Sequence, residues 1–508
     1  MERRSVWLAT ADLPRYNPLL TDLHVDVAVV GGGLVGLTTA LLAQRDGARV
    51  AVLEGARIGG GTTGHTTGKV TSQHSVIYAD LVRRHGEANA RRYAEANQAG
   101  VEKVASLADE LGIDCELTRA VALAYTTDPR ERARIEGEVE AAKLLGLPAS
   151  LTFEVDLPFE VEAAVRFDNQ FHFHPSKYLG GLAQALIAGG GPIYETTRVT
   201  GIEEQRDRSV HLATPHGNVH ADQVVVASLI PPGLVGGYFA KTRPNRSYGL
   251  ALRLSGEAPR SMSISVDTPT RSTRPWQEDG LIVVGNGHEV GDGEDTESKY
   301  LDLEDWARST FAVKSLDYRW SAQDYSTPDQ IPYVGRSPLS PMVLVATGFQ
   351  KWGLSNGTAA AMLLADLLAA RENDWLSVFD ASRIGDARAV GRLIKDNLKV
   401  GTELFGGRLN RPEPVPIEDL ELDQGGIVEL ERETVGGNRD ADGVLHAVEL
   451  TCSHLGCPLH WNNAEHSWDC RCHGSRFDVD GAVLNGPATQ ALNRLPVGLP
   501  ATSGQDTL

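Results

Sequence analysis

Five cysteines and four methionines in 508 residues leave no material for a disulfide framework, and four of the five cysteines fall within one stretch, 452–475. Cysteine usage elsewhere is that of a reducing compartment. No run of about 18 apolar residues occurs, which excludes a sequence-evident membrane-spanning helix. Lys/Arg-rich runs are absent, and 48 basic against 67 acidic residues give a net charge of −19, so nucleic acid is not an expected partner. The acidity serves solubility, with docking to a basic partner as the alternative. Arg3-Arg4 could open a twin-arginine signal, but Ala11 to Asp22 is polar and Pro-bearing where an apolar segment should follow. The expected location is cytoplasmic. Internal repeats and low-complexity tracts are lacking too.

What is present is chemistry at both ends of a multi-domain chain. Val25 to Val30 (VDVAVV) reads as a buried strand, followed at once by Gly31-Gly-Gly33-Leu34-Val35-Gly36. A helical stretch, Leu37 to Arg45, and a second strand, Ala48 to Leu53, end at Glu54. In this context the glycines serve a tight turn (Gly31), backbone approach to a pyrophosphate (Gly33) and close helix–strand packing (Gly36), and Glu54 suits a ribose hydroxyl. The pyrophosphate would sit at the helix N-terminus, where free N–H groups and the dipole favour an anion. The strand–helix–strand–acid series makes an adenine dinucleotide site, without separating FAD from NAD.

At the other end, Cys452-Ser-His454 is followed after fifteen residues by Cys470-x-x-His473. Each loop offers one Cys and one His. A structural zinc site is the alternative, but zinc-finger spacing pairs Cys with Cys and His with His. One thiolate and one imidazole per loop is the ligand set of a Rieske 2Fe–2S centre, in which two Cys hold one iron and two His the other. The whole stretch resembles the Rieske family. That resemblance implies a disulfide between Cys457 and Cys472, and a hydrogen bond from Ser475 to a cluster sulfide that raises the potential. High-potential Rieske proteins have a Tyr where this chain has Phe477, so a potential in the middle of the family range, about −150 to +300 mV, is expected.

The segment after Glu54 and Gly55 decides the dinucleotide. Arg57-Ile-Gly59-Gly-Gly61-Thr62-Thr63-Gly64-His65-Thr66-Thr67-Gly68-Lys69 is too rich in Gly and Thr for a helix or core strand. It resembles the flavin-contacting loop of the D-amino-acid oxidase family, which includes glycine and sarcosine oxidases and dimethylglycine dehydrogenase. Further pieces resemble the same family in order: Phe173-His174-Pro175 opening an apolar-periodic stretch to Ile187; Thr197–Ile202 as a strand presenting Val199; Asp222–Ser228; Trp320–Gly335; and Val343–Ser355, with Gly348, Gly353, Leu354 and Ser355 leading into a helix through Leu368. The resemblance implies FAD, with that last helix start facing the flavin pyrimidine. The late strand departs from the family in ending Ser228-Leu-Ile-Pro231-Pro232. His65 aligns with a loop that carries a flavin-linked histidine; covalent attachment, a hydrogen bond over the flavin and a loop-structuring role all stay open.

The expected architecture is α/β: a Rossmann-type FAD part (about 20–75, 170–230 and 328–375) interleaved with a mixed α+β substrate part (about 76–169 and 231–327), together spanning 1–375. A helical and Pro-rich linker (376–412) and an all-β Rieske domain (413–508) follow. Glu87 to Leu111 reads as an amphipathic helix, and Asp128-Pro-Arg-Glu131 as a helix start with Glu reaching back to the cap. Cys115 is expected to be a small buried hydrophobe. Asn373 to Phe405 reads as two helical pieces, and Arg411–Pro416 should break any regular element. Gly turns are expected at Asp423–Gly426, Gly436-Gly437 and Asp480-Gly481.

Tyr248, Arg274, Trp276, Lys351 and Trp352 are candidates for a substrate cavity, and no clear catalytic base stands out. A two-electron flavin joined to a one-electron centre suggests a dehydrogenase. It would oxidise an amine or amino acid and pass electrons singly to an external protein or quinone. Reversed electron flow, an oxidase using oxygen, and a non-catalytic redox sensor or electron-transfer protein are the alternatives. A Rieske oxygenase is disfavoured, because only about 30 residues follow the cluster stretch, too few for a mononuclear iron domain.

Overall fold

The computed structural model describes residues 1–291, 295–384, 387–406 and 413–497. The chain divides into two compact units. The first is Met1–Glu289 with Ser298–Asp396; the second is Val290–Glu297 with the chain from Asn397 onward.

The first unit holds two sheets. In one, Leu23–Val30 lies between Asn218–Val226 and Val50–Leu53, all parallel, with Ser340–Thr347 and Ile193–Tyr194 extending the parallel set. Its strands are near-continuous apolar runs because both faces are covered. Helix Leu34–Arg45 packs on helices Pro175–Ala188 and Gly353–Leu368. Gly31 has φ +115°, and a Cβ there would lie 2.6 Å from the Ala227 carbonyl oxygen. A Cβ on Gly36 would lie 1.9 Å from the Gly31 oxygen, so only glycine permits this turn to close on the helix.

The other sheet has nine strands. The order is Val313–Ser326, Arg243–Leu254, Gly280–Glu289, Arg271–Trp276, Met262–Ser265, Thr118–Thr126, Ala163–His172 and Lys69–Val70, with Ala149–Thr152 also pairing Ala163–His172. Its last strand leaves directly from the Gly/Thr loop, so that loop joins the two sheets.

Several local expectations change. The long helix begins at Tyr78 and kinks at Gly86 (φ +77°). Its first turn exists because the buried Glu138 carboxylate accepts the N–H groups of Ile77, Tyr78 and Ala79 at 2.8, 2.8 and 2.9 Å. Asp128 does cap, accepting from Arg130 N at 2.9 Å, but Glu131 pairs with Arg134 instead of reaching back. Thr197–Thr200 is irregular and the strand is only Gly201–Glu204, because Thr197 N donates back to the Glu54 carbonyl at 2.8 Å. Helices Leu376–Phe379 and Ala387–Gly406 form the two expected pieces. Cys115 is buried, and burial pushes its thiol up to about 11, leaving it inert.

The second unit contains two four-stranded sheets, Val415–Pro416 through Leu445–Val448 and Leu459–Asn462 through Val483–Asn485. Arg411 and Pro412 lie outside the described residues. Val415–Pro416 is nonetheless paired with Gln424–Leu430, contrary to expectation; as an edge strand it tolerates the missing proline N–H. The Gly425-Gly426 and Gly436-Gly437 pairs are not turns but lie inside strands. A Cβ on Gly425 would meet the Trp461 ring at 2.5 Å and one on Gly436 the Trp468 ring at 2.8 Å, so these glycines make room for two core indoles. Asp480-Gly481 is a turn, with Gly481 at φ +85°. Among the described residues no helix is long and apolar enough to cross a membrane.

Candidate flavin and cluster sites

The dinucleotide cradle forms where strand Leu23–Val30 meets helix Leu34–Arg45. Gly33 caps that helix without a side-chain bond, and Leu34 N donates to Thr63 Oγ1 at 3.2 Å. Val35 and Leu34 are buried in the helix. The helix N-terminus therefore presents its positive end with glycine backbone around it, suited to a pyrophosphate. Glu54 is half-buried, with Oε2 accepting Gly32 N at 2.7 Å and Oε1 accepting Ala56 N at 2.8 Å. Burial raises its pKa, opposed by those two N–H groups and by Arg198, whose guanidinium packs over Gly55. Each oxygen keeps a lone pair for a ribose hydroxyl. Arg57 lies 3.8 Å from the Glu195 carboxylate and donates to the Leu13 carbonyl at 3.3 Å. Val199 is buried, and the Ser228 hydroxyl donates to the Ile230 carbonyl at 3.0 Å.

The loop from Gly61 to Lys69 is held from several sides. Thr62 Oγ1 donates to the Gln323 carbonyl at 2.7 Å, and His65 Nδ1 lies 2.8 Å from the Gly61 carbonyl oxygen. Lys69 is half-buried and donates to the Ser263 carbonyl and the Ser272 hydroxyl; desolvation of its ammonium, with Arg274 nearby, pushes it down to about 7.

Helix Gly353–Leu368 opens without a side-chain cap, so its N-terminal dipole is available to an anionic group. Gly348 has φ +81°, and a Cβ there would lie 2.5 Å from Thr327 Cγ2. Ser355, in the first turn, is 2.8 Å from His74 Nε2, while His74 Nδ1 is 2.8 Å from the Tyr93 hydroxyl. Trp352 stacks on His74 with centroids 5.0 Å apart, and Asn356 Nδ2 donates to Tyr93 at 3.2 Å. Burial pushes His74 down to about 3, so it is neutral. Sequence reasoning missed His74, Tyr93 and Asn356. The sequence shows only Thr71-Ser-Gln-His74, four consecutive polar residues directly after the Gly/Thr loop; that all four are buried is visible only in the structure.

The other cavity candidates fall elsewhere. Trp276 belongs to a core cluster with Val6, Trp7 and Trp320. Tyr248 is fully buried against Tyr300, with its hydroxyl 2.8 Å from His288 Nε2. Arg274 is buried over the Trp7 ring, donating to the Phe173, Gly68 and Pro275 carbonyls, and burial pushes it down to about 9. Lys351 is exposed at φ +71°, its N–H accepted by the buried Asp324 carboxyl. Burial pushes Asp324 up to about 6.

In the second unit, Cys452 and Cys470 are buried free thiols within hydrogen-bonding reach of one another. The rings of His454 and His473 lie 5.1 Å apart. A disulfide joins Cys457 to Cys472. The sulfurs of Cys457, Cys470 and Cys472 lie within 4.8 Å of one another, but two of the three are spent in that bond, leaving Cys470 as the ligand among them. Cys452 is pulled down to about 7, first by Cys470 and then by the N–H groups of His454 and Leu455 and the Ser475 hydroxyl. His473 is neutral, pushed down to about 4 by burial and His454. Two thiols and two imidazoles from two bonded loops fit a Rieske cluster and not an all-Cys or zinc-finger site. Phe477 is buried in the core, so no hydroxyl reaches a ligand sulfur from there.

These features agree with known proteins. Residues 26–367 match the FAD dependent oxidoreductase (DAO) family model, and residues 416–496 match the Rieske [2Fe-2S] domain model. The chain belongs to the FAD dependent oxidoreductase family and carries a Rieske [2Fe-2S] domain. The Rieske 2Fe-2S iron-sulfur protein YhfW of Bacillus subtilis (strain 168) is 37% identical over 494 residues, covering 96% of this chain and 97% of that protein. Gamma-glutamylputrescine oxidoreductase of Escherichia coli (strain K12) is 24% identical, covering 70% of this chain and 85% of its own. The glycine oxidase structure from Geobacillus kaustophilus superposes with a TM-score of 0.61 at 19% identity, over 71% of this chain and 99% of that one. The family binds FAD and the Rieske domain binds a 2Fe–2S cluster, so this is an FAD-dependent oxidoreductase whose cluster exchanges electrons with another redox group.

Proposed function

We propose that the protein is a cytoplasmic dehydrogenase that oxidises an amine or amino acid at the carbon next to nitrogen and delivers the electrons singly to an external protein or quinone. The observation that carries this reading is the pairing, in one chain, of an amine-oxidase type flavin fold with a one-electron centre. An enzyme that gives electrons to oxygen directly has no need of the second. When bound, FAD supplies hydride acceptance and the cluster one-electron exchange.

The chain's own residues do the rest. Gly31, Gly33, Leu34, Val35, Gly36 and Glu54 hold the dinucleotide. Gly61 to Thr67 and Gly348 to Ser355 hold the flavin, with neutral His74 and Tyr93 fixing Ser355. Cys452, His454, Cys470 and His473 hold the cluster. No catalytic base is required if the amine binds neutral.

The test is steady turnover with a quinone or cytochrome acceptor in wild type and in Cys452→Ser. Turnover that fails in the variant supports the relay. Steady oxygen consumption with an amine, the same in both proteins, would support an oxidase instead.

A further inference from the structure

The first ten residues precede the part of the chain that matches the oxidoreductase family, yet Ser5, Val6 and Trp7 are at most 1% exposed. A strand-like contact anchors the arm, with Glu2 N donating to the Asp317 carbonyl at 2.8 Å and Arg319 N to the Glu2 carbonyl at 3.0 Å. From there the arm reaches the Gly/Thr loop. The Ser5 hydroxyl donates to the Gly64 carbonyl. Trp7 Nε1 donates to the Thr66 carbonyl at 2.6 Å, and Trp320 Nε1 to the His65 carbonyl at 2.9 Å. Phe173 N donates to the Gly68 carbonyl at 3.0 Å. Trp7 is itself fixed, edge-on to His174 at 5.0 Å and under the Arg274 guanidinium at 4.9 Å.

In a trans peptide the N–H points opposite to the carbonyl of the same plane. The planes whose carbonyls are held by Trp320 and Trp7 are those that carry the Thr66 and Thr67 N–H groups. Neither N–H meets an acceptor among the described residues, and both threonines are half-exposed. Two consecutive backbone donors are thus turned away from the two indoles and left available.

We propose that Trp7 and Trp320 are positioning residues for the flavin: by binding the Thr66 and His65 carbonyls they hold the Thr67 and Thr66 N–H groups free to hydrogen-bond FAD, while Ser5 ties the arm to the loop at the Gly64 carbonyl. The inference rests on the assignment of this loop to the flavin. A fixed donor pair favours the more negative, reduced flavin over the oxidised one. The N-terminal arm is therefore part of the cofactor machinery, although it touches neither dinucleotide motif in sequence.

The experiment uses the full-length holoprotein and Trp7→Phe, which keeps an aromatic ring but removes the indole N–H together with part of the ring volume. Trp320→Phe carries the same test if Trp7→Phe does not fold. FAD dissociation constant, flavin midpoint potential, visible spectrum and melting temperature are measured, with the Rieske EPR signal as a check on the rest of the chain. The expected result is about a tenfold weaker FAD affinity, with the reduced form losing more than the oxidised. Each further tenfold difference between the two forms is a fall of about 30 mV for a two-electron couple. A variant that melts lower but keeps the wild-type potential and spectrum has lost only packing, and the proposal is wrong. Thr63→Val separates the two levels of the argument. If it alters FAD affinity while the arm variants do not, the clamp is refuted and the loop assignment stands; if none does, both fail.

Discussion

Asp469 and Arg476 form a buried ion pair, Arg476 Nε to Asp469 Oδ1 at 2.9 Å, across the strand pairing that places Cys470 beside one and Ser475 beside the other. Asn462 Nδ2 completes the carboxylate at 2.9 Å, and the Ser467 hydroxyl bridges both partners. Every donor and acceptor has a place, which is the condition under which a buried pair is tolerated.

Removing one charge leaves the other buried and unpaired, at a cost of about 3–5 kcal/mol. Asp469→Asn should therefore lower the unfolding midpoint of the Rieske unit and the yield of the cluster EPR signal, while FAD content stays at the wild-type level. Equal loss of flavin and cluster would contradict a local role.

The neutral His74 predicts a pH dependence. Its folded pKa, about 3, is depressed from 6.5 by burial. The unfolded chain therefore takes up this proton first as the pH falls. The stability contributed by His74 is present above pH 6.5 and is lost as the pH falls toward 3. The slope is at most about 1.4 kcal/mol per pH unit for one such group. His172, also pushed down to about 3, acts in the same direction. Melting temperature should fall between pH 6.5 and 4, and His74→Asn should flatten that slope. An unchanged slope would mean that His74 is not buried as neutral.

Phe477 sets a prediction for the cluster. Its buried ring supplies no hydroxyl, while the Ser475 hydroxyl does reach the Cys452 sulfur. Phe477→Tyr should raise the midpoint potential and Ser475→Ala should lower it, each by a fraction of the family range of about 450 mV. A redox titration followed by EPR reads both. A wild-type potential already at either end of that range would contradict the account.

Much of this was legible in the sequence because the motifs carry their own geometry. Gly31 and Gly36 are required by contacts that any side chain would violate, so their spacing announced the turn. One Cys and one His in each loop announced the cluster in the same way. The rest depends on partners far apart in the chain. Glu138 starts the helix at Tyr78 from 60 residues away, and Trp320 holds the His65 carbonyl from 255 residues away. Gly425 and Gly436 looked like turn residues because nothing local shows that an indole lies over each. Tyr248 and Trp276 looked like cavity residues for the same reason; an aromatic side chain reads alike whether it packs on Tyr300 or faces a substrate.

The most direct test of the proposed relay is anaerobic. The purified holoprotein is mixed with a panel of secondary and tertiary amines and amino acids, and flavin bleaching is followed by absorbance and the reduced cluster by EPR. The account predicts that at least one of these compounds bleaches the flavin and that the Rieske signal then grows. If none bleaches the flavin, although dithionite reduces both centres, the amine assignment is contradicted, and electron flow from a donor through the cluster, or a non-catalytic redox role, takes its place.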